Sequence, residues 1–177
     1  MKLICMPRGE TDGSASVYAL LEHAFRAEYG SALPEIKKTP NGKPYFPERP
    51  DIHFSLSHGK THVLCALAHF PVGADIESPR HISERAVNYF ALPEELALFD
   101  PLDLWVLKES YIKLTGSTLA SVKTLRFTRK NEKITAPNES AVSKLYNVGG
   151  CRAAVCAFCE TPLPESIELI SGSSAVY

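Results

Sequence analysis

The run Trp105-Val106-Leu107-Lys108-Glu109-Ser110-Tyr111-Ile112-Lys113 sets a carboxylate and two ammonium groups into a segment that otherwise belongs in a core. No Gly or Pro falls between Leu102 and Thr115, and Gly116 follows, so the spacing predicts a helix that stops at that glycine. Residues at i, i+4, i+7 and i+8 share a helical face, which groups Trp105, Glu109, Ile112 and Lys113. A second stripe carries Leu104, Leu107, Tyr111 and Leu114. A helix apolar on nearly its whole circumference is buried, and a charge placed in it is costly unless something pairs it. Taken alone, a Glu-to-Lys i,i+4 surface pair, worth a few tenths of a kcal/mol, accounts for Glu109 and Lys113. The rest of the chain bears on that choice.

At 177 residues the chain suits one domain, or two small halves sharing a core. Its formal net charge of -1 does not favour nucleic acid as a partner. No apolar run approaches membrane-spanning length. The start, Met1 to Met6, carries one Lys and too short an apolar run for a signal peptide, so a cytoplasmic location is expected. The cysteines are Cys5, Cys65, Cys151, Cys156 and Cys159, an odd number that suits reduced thiols. Cys156-x-x-Cys159 has the spacing of a redox or zinc pair. It lies in the apolar run 153–159, which reads as a buried strand where residues three apart face opposite ways, so both are expected to be structural.

Along the chain, 2–6 reads as a strand and Gly9 to Ser14 as a loop. A helix follows from about Ser16 to Tyr29, with Gly30 ending it. Residues 33–50 are broken by Pro and Gly, with a turn at Asn41-Gly42. Ile52 to Ser57 and Val63 to Ala68 form a hairpin turned at His58-Gly59-Lys60, and Val72 to Glu77 is a further strand. A helix over 83–90 breaks at Ala91-Leu92-Pro93, and Pro93-Glu94-Glu95 starts another. Strands are expected over 122–129, 133–136, 151–159 and, more weakly, 167–170, with turns at 138–143 and 147–150.

Asp75 and Glu77, at i and i+2 on a strand, point the same way and stand roughly 6–7 Å apart. Like charges that close destabilise a fold unless a cation lies between them, and hard oxygen donors select Mg²⁺ or Mn²⁺. A solvated polar strand face is the plain alternative. Gly73 leaves room for a ligand to approach the backbone. Ser57-His58-Gly59 at a hairpin tip can present a ring and backbone N–H groups to a phosphate, or is simply an exposed turn.

Gly42-Lys43-Pro44, Phe54-Ser55-Leu56-Ser57-His58, Val72-Gly73-Ala74-Asp75-Ile76-Glu77, Phe90 with Pro93-Glu94, and Trp105-x-x-Lys108-Glu109-Ser110-x-x-Lys113 occur in an order that resembles the Sfp-type 4′-phosphopantetheinyl transferases. The match covers roughly 41–128. The resemblance implies an α+β fold of two similar α/β halves related by a pseudo-twofold, here 1–70 and 71–177, with the site in the cleft between them. It implies a magnesium triad of Asp75, Glu77 and Glu109, with Mn²⁺ as an alternative ion. Lys113 takes the place of the lysine on the coenzyme A phosphates. Lys43, Ser57, His58 and Lys108 take the places of further coenzyme A contacts, with Ser57 and His58 at the 3′-phosphate. Glu109 is the first candidate for the base, and Glu94, acting through a metal-bound water, the second.

The implied reaction moves phosphopantetheine from coenzyme A to a serine of an acyl, peptidyl or aryl carrier protein, releasing adenosine 3′,5′-bisphosphate. A monomer is expected, with neither nucleic acid nor membrane as a partner. Two rival readings are a coenzyme A-binding module without turnover and a Mg²⁺-dependent nuclease; the complete acid set and the near-neutral charge stand against them. Longer members carry an N-terminal Arg/Lys cluster. Here Gly13-Ser14-Ala15-Ser16 holds the helix start, and the early basic residues are Lys2, Arg8, Arg26, Lys37 and Lys38. Lys123, Arg126, Arg129 and Lys130 are the candidate positive patch for an acidic carrier.

Overall fold

The computed structural model describes residues 1–9 and 12–171. Strand β1 (Lys2–Pro7) leads to helix α1 (Gly13–Tyr29), which begins three residues earlier than its periodicity suggests and ends at Gly30 in the left-handed conformation. Two short strands, β2 (Lys37–Lys38) and β3 (Pro44–Tyr45), pair with each other, and the hairpin β4 (His53–His58) and β5 (His62–Ala68) follows. The second part runs β6 (Val72–Glu77), α2 (Glu84–Phe90), α3 (Pro93–Leu96) and α4 (Pro101–Thr115), then a 3₁₀ turn at Leu119–Thr124. It closes with β7 (Thr128–Lys130), β8 (Lys133–Thr135), β9 (Val142–Val148), β10 (Cys151–Ala157) and β11 (Glu168–Leu169).

These elements form an α+β architecture with two main sheets, ordered β11-β1-β5-β4 and β6-β10-β9-β8-β7. Each repeats a strand, a long helix and an antiparallel hairpin: β1, α1, β4–β5 in one and β6, α4, β9–β10 in the other. Each long helix lies on its own sheet over its own apolar cluster. Leu20, Leu21 and Phe25 of α1 meet Ile4, Phe54 and Leu67, while Leu104, Leu107 and Leu114 of α4 meet Ala154 and Cys156. A third cluster, with Leu64 and Ala66 from one sheet and Ala74, Ala153 and Val155 from the other, forms the seam. The late strand β11 returns to the first sheet and pairs parallel to β1.

Several strands differ from the sequence expectation: β2 and β3 fall in the span broken by Pro and Gly, and β10 ends at Ala157 instead of 159. The span 122–129 is a 3₁₀ turn followed by the short β7. Ser121 and Thr124 hydroxyls donate back to the Thr118 and Ser121 carbonyls, a local bond that curls the backbone instead of extending it. Strand β9 was not anticipated, because Ser143, Lys144 and Asn147 hide its alternation; its ladder with β10 makes it a strand. All five cysteines are free thiols, with Cys156 buried in β10.

The contact between α4 and β6 sets up the site. Gly73, Asp75 and Glu77 share the face of β6 that lies under α4. A Cβ on Gly73 would overlap the Ser110 carbonyl oxygen and the Leu114 amide. The glycine therefore admits the helix backbone, which corrects the expectation that it admits a ligand. With the helix seated this closely, the carboxylates farther along the strand meet the side chains of α4.

Candidate active site

Asp75 lies opposite Lys113, whose ammonium donates to Asp75 Oδ1 at 2.7 Å. The same oxygen accepts the Ser57 hydroxyl proton, also at 2.7 Å. Asp75 is 5% exposed, and its Oδ2 is buried with no hydrogen-bond partner among the described residues. A bare anionic oxygen inside a fold is costly, so this atom marks a place for a cation. One step along the strand, Glu77 Oε1 accepts from Trp105 Nε1 and from the Arg80 guanidinium, both at 3.3 Å.

Glu109 is half-buried on α4. Burial, the neighbouring Asp75 and, more weakly, Glu77 push its carboxyl up from about 4.5 to about 7, while Lys113 pulls it down. Three carboxylates thus share one low-dielectric corner with a single lysine. Among the described residues no three His, Cys, Asp or Glu side chains are already drawn together around a metal-sized space. Lys113, Trp105 and Arg80 hold two of the acids instead. The donor set nevertheless suits a hard divalent ion: all oxygen, acidic, with one oxygen of Asp75 bare.

The raised carboxyl has a stability consequence. The folded state holds the Glu109 proton more tightly than the unfolded chain does, so its contribution is full below about pH 4.5 and is lost as pH rises through about 7. The loss is at most roughly 3 kcal/mol, less after solvent screening of a partly exposed group. Urea unfolding in EDTA from pH 5 to 8 should show Glu109→Gln gaining on the wild type as pH rises. A difference between the two proteins that stays flat with pH would remove this assignment.

Above Lys113 a cavity of about 290 Å³ is lined by Asn41, Lys43, Pro44, Phe54, Ser55 and Leu56 on one side and by Ile112, Lys113, Gly116 and Ser117 on the other. The loop that bears Lys43 is clasped to the end of α4. Lys43 Nζ donates to the Leu114 carbonyl at 2.6 Å, and Asn41 Nδ2 to the Gly116 carbonyl at 3.0 Å. Burial lowers the Lys43 pKa. Lys43 forms part of the cleft wall while its ammonium caps the helix.

The expected coenzyme A contacts separate. His58 is exposed at the end of β4, beside Gly13 at the start of α1. The Arg8 guanidinium reaches the same spot, and its Nη1 donates to the Gly59 carbonyl at 3.5 Å. The sequence pointed to no partner for His58; Arg8 arrives because β1 runs beside β5. Ser57 is buried, and its hydroxyl donates to Asp75 Oδ1.

Lys108 lies apart from the cleft. It is fully buried on the opposite side of α4, donating to Glu95 Oε2 at 2.7 Å and to the Phe90 carbonyl at 2.6 Å. Burial lowers its pKa and Glu95 works against that. It binds helices together and does not reach the cleft. Glu94 is exposed on α3 and is not among the charges that shift Glu109. Its neighbour Glu95 turns inward and accepts the Leu92 and Phe127 amides as well as Lys108.

A buried acid corner lies beside one lysine, and that lysine also lines a two-walled cleft. The chain belongs to the 4′-phosphopantetheinyl transferase superfamily, whose family model matches residues 71–159, half of its length. It is similar to the 4′-phosphopantetheinyl transferase Sfp of Bacillus subtilis (strain 168), 33% identical over 147 residues that cover 73% of this chain and 65% of that protein. It is also similar to the 4′-phosphopantetheinyl transferase psf-1 of Bacillus pumilus, 32% identical over 57% of this chain and 48% of that one. The corresponding enzyme gsp of Aneurinibacillus migulanus is 34% identical over 46% of this chain and 38% of its own. The chain thus spans just under two thirds of the Sfp relative.

Proposed function

We propose that this protein transfers the 4′-phosphopantetheine arm of coenzyme A to a serine of an apo acyl or peptidyl carrier protein. The observation that carries the reading is the buried, unpartnered Oδ2 of Asp75 beside Glu77 and Glu109, with Lys113 facing them at the floor of the cleft. Asp75, Glu77 and Glu109 would hold Mg²⁺, or Mn²⁺, which when bound neutralises the pyrophosphate of the donor. Lys113 turns from Asp75 to a phosphate oxygen and stabilises the charge left on the bridging oxygen. The serine oxygen bonds to the β-phosphorus, the bridging oxygen departs with adenosine 3′,5′-bisphosphate, and the hydroxyl proton passes to Glu109.

Arg8 and His58 meet at the start of α1 and together offer side chains to the 3′-phosphate, the grip that the sequence alone left incomplete. The two parts of the chain, 1–70 and 71–177, supply opposite walls of the cleft, which goes with action as a monomer. Among the described residues no helix is long and apolar enough to cross a membrane. The five free thiols go with a reducing, cytoplasmic setting.

The carrier has a place beside the acids. A groove of about 380 Å³ runs between α2 and Trp105, walled by Ile82, Ala86 and Phe90 and flanked by Arg80, Arg85 and Tyr89, the last 56% exposed. An exposed aromatic with basic neighbours suits an acidic, amphipathic helix. Of the basic residues after α4, Lys123 adjoins this surface, while Arg129 is paired with Glu132. Incubation with coenzyme A, Mg²⁺ and an apo carrier should add one phosphopantetheine mass to the carrier. Arg85→Glu with Tyr89→Ala should raise the KM for the carrier about tenfold or more and leave coenzyme A affinity within about twofold. No mass gain on any carrier class would refute the reading, and a nuclease would instead cleave nucleic acid in the same buffer.

A further inference from the structure

We infer that Asp103 is a positioning residue for Glu77: it holds the Arg152 guanidinium away from that carboxylate and keeps it free for a divalent ion, an inference that rests on the acid corner being the metal site. Arg152 and Glu77 stand directly opposite each other in the β10–β6 ladder. Residues paired across an antiparallel ladder point to the same face, with Cβ atoms about 4.5–5.5 Å apart. A long arginine side chain spans that gap. Its guanidinium stays charged throughout the pH range in which proteins fold, so it must find an anion or water.

Asp103 and Glu77 both lie within reach of Arg152, and the structure shows it on Asp103. Arg152 Nε donates to Asp103 Oδ1 at 2.6 Å, and Arg152 Nη2 donates to Asp103 Oδ2. Glu77 accepts instead from Trp105 and Arg80, both on Oε1, and its Oε2 takes no hydrogen bond among the described residues. Asp103 stands in the first turn of α4, above the face of β10 that carries Arg152. It is 6% exposed, so its charge has lost most of its water, and a fork-shaped donor replaces that water well.

Without the Asp103 charge, Glu77 is the anion that faces Arg152 across the ladder. An ion pair there sets a permanent positive charge on a carboxylate that the metal needs, and a divalent ion then has to displace it. Arg80 is a weaker competitor, since it makes one bond of 3.3 Å to Glu77 from an exposed side chain. Asp103 and Arg152 also tie the start of α4 to β10, and that tie alone is a structural role. The two roles differ when Arg152 is removed as well. A structural tie stays broken, whereas a guanidinium that is absent cannot crowd Glu77.

The test measures Mn²⁺ binding by the EPR signal of free Mn²⁺, with coenzyme A present, on the full chain, and the melting temperature beside it. Asp103→Asn should weaken Mn²⁺ binding about tenfold or more, the usual effect of disturbing a group that sets a metal ligand. Adding Arg152→Met should bring the affinity back to within about threefold of wild type. Arg152→Met alone should lower the melting temperature, because it leaves Asp103 charged and buried, yet keep Mn²⁺ affinity within about twofold of wild type or better. A structural tie predicts instead that Mn²⁺ affinity follows the melting temperature in all these variants, and that result overturns the inference. Unaltered Mn²⁺ affinity in Asp103→Asn overturns it too, while the metal reading survives if Glu77→Gln abolishes binding. Should Asp103→Asn not fold, Arg152→Met decides: affinity kept in the destabilised protein upholds the inference, and a loss of about tenfold overturns it. Wild-type protein that takes up no Mn²⁺ removes the metal reading and this inference together.

Discussion

Asp75→Asn, Glu77→Gln and Glu109→Gln should each lower kcat/KM for carrier modification by two to three orders of magnitude, equivalent to about 3–4 kcal/mol of lost transition-state stabilisation. The variants differ in what they do to the metal-free fold. Asp75 is tied to Lys113 and Ser57, so neutralising it releases an ion pair and costs stability. Glu109 holds its negative charge against burial and two acidic neighbours, so Glu109→Gln should gain stability at pH 8. Opposite signs in stability with the same loss in turnover separate a functional acid corner from a structural one. Activity within tenfold of wild type in all three proteins would sink the assignment.

The second large effect lies on the other side of the same helix. Lys108→Met should destabilise the protein by about 3–5 kcal/mol, because it leaves Glu95 charged, buried and without its cation. That is a large part of a stability of roughly 5–15 kcal/mol. Glu95 also accepts the Leu92 and Phe127 amides, so it joins the α3 start and the strand after the 3₁₀ turn to α4. Adding Glu95→Gln to Lys108→Met removes the stranded charge and keeps an acceptor for one amide. It should recover at least half of the loss, measured by urea unfolding at pH 7. A single variant within about 1 kcal/mol of wild type would show that the pair is not what holds these elements together.

Each motif of the cleft was legible as chemistry before it was legible as position. The stripes on α4 came from a 3.6-residue period, and residues 104, 107, 111 and 114 are buried where that period puts them. Asp75 and Glu77 share a face because a strand alternates, and this needs no tertiary information. The helix stop at Gly116 likewise follows from a local preference, the left-handed φ of 66° that glycine takes without strain.

Partner choice was not local. Lys108 and Lys113 are both lysines on one helix, five positions apart. One faces Glu95 inside the core and the other faces Asp75 in the cleft, because α3 and β6 pack on different sides. Glu94 and Glu95 are adjacent, yet the Lys108 ammonium and the Leu92 and Phe127 amides meet only the second, inside the fold. Ser57 and His58 look like a pair in sequence, yet strand alternation with a buried seam sends one to Asp75 and the other to Arg8. Strand β9 exists because β10 pairs with it, although its own polar residues conceal it. The sequence by itself determined most of the elements, the acidic pair, the charged helix and the family they point to, since period and propensity act within a few residues. Only the tertiary structure decided which charge meets which, since that depends on the packing of segments far apart in the chain.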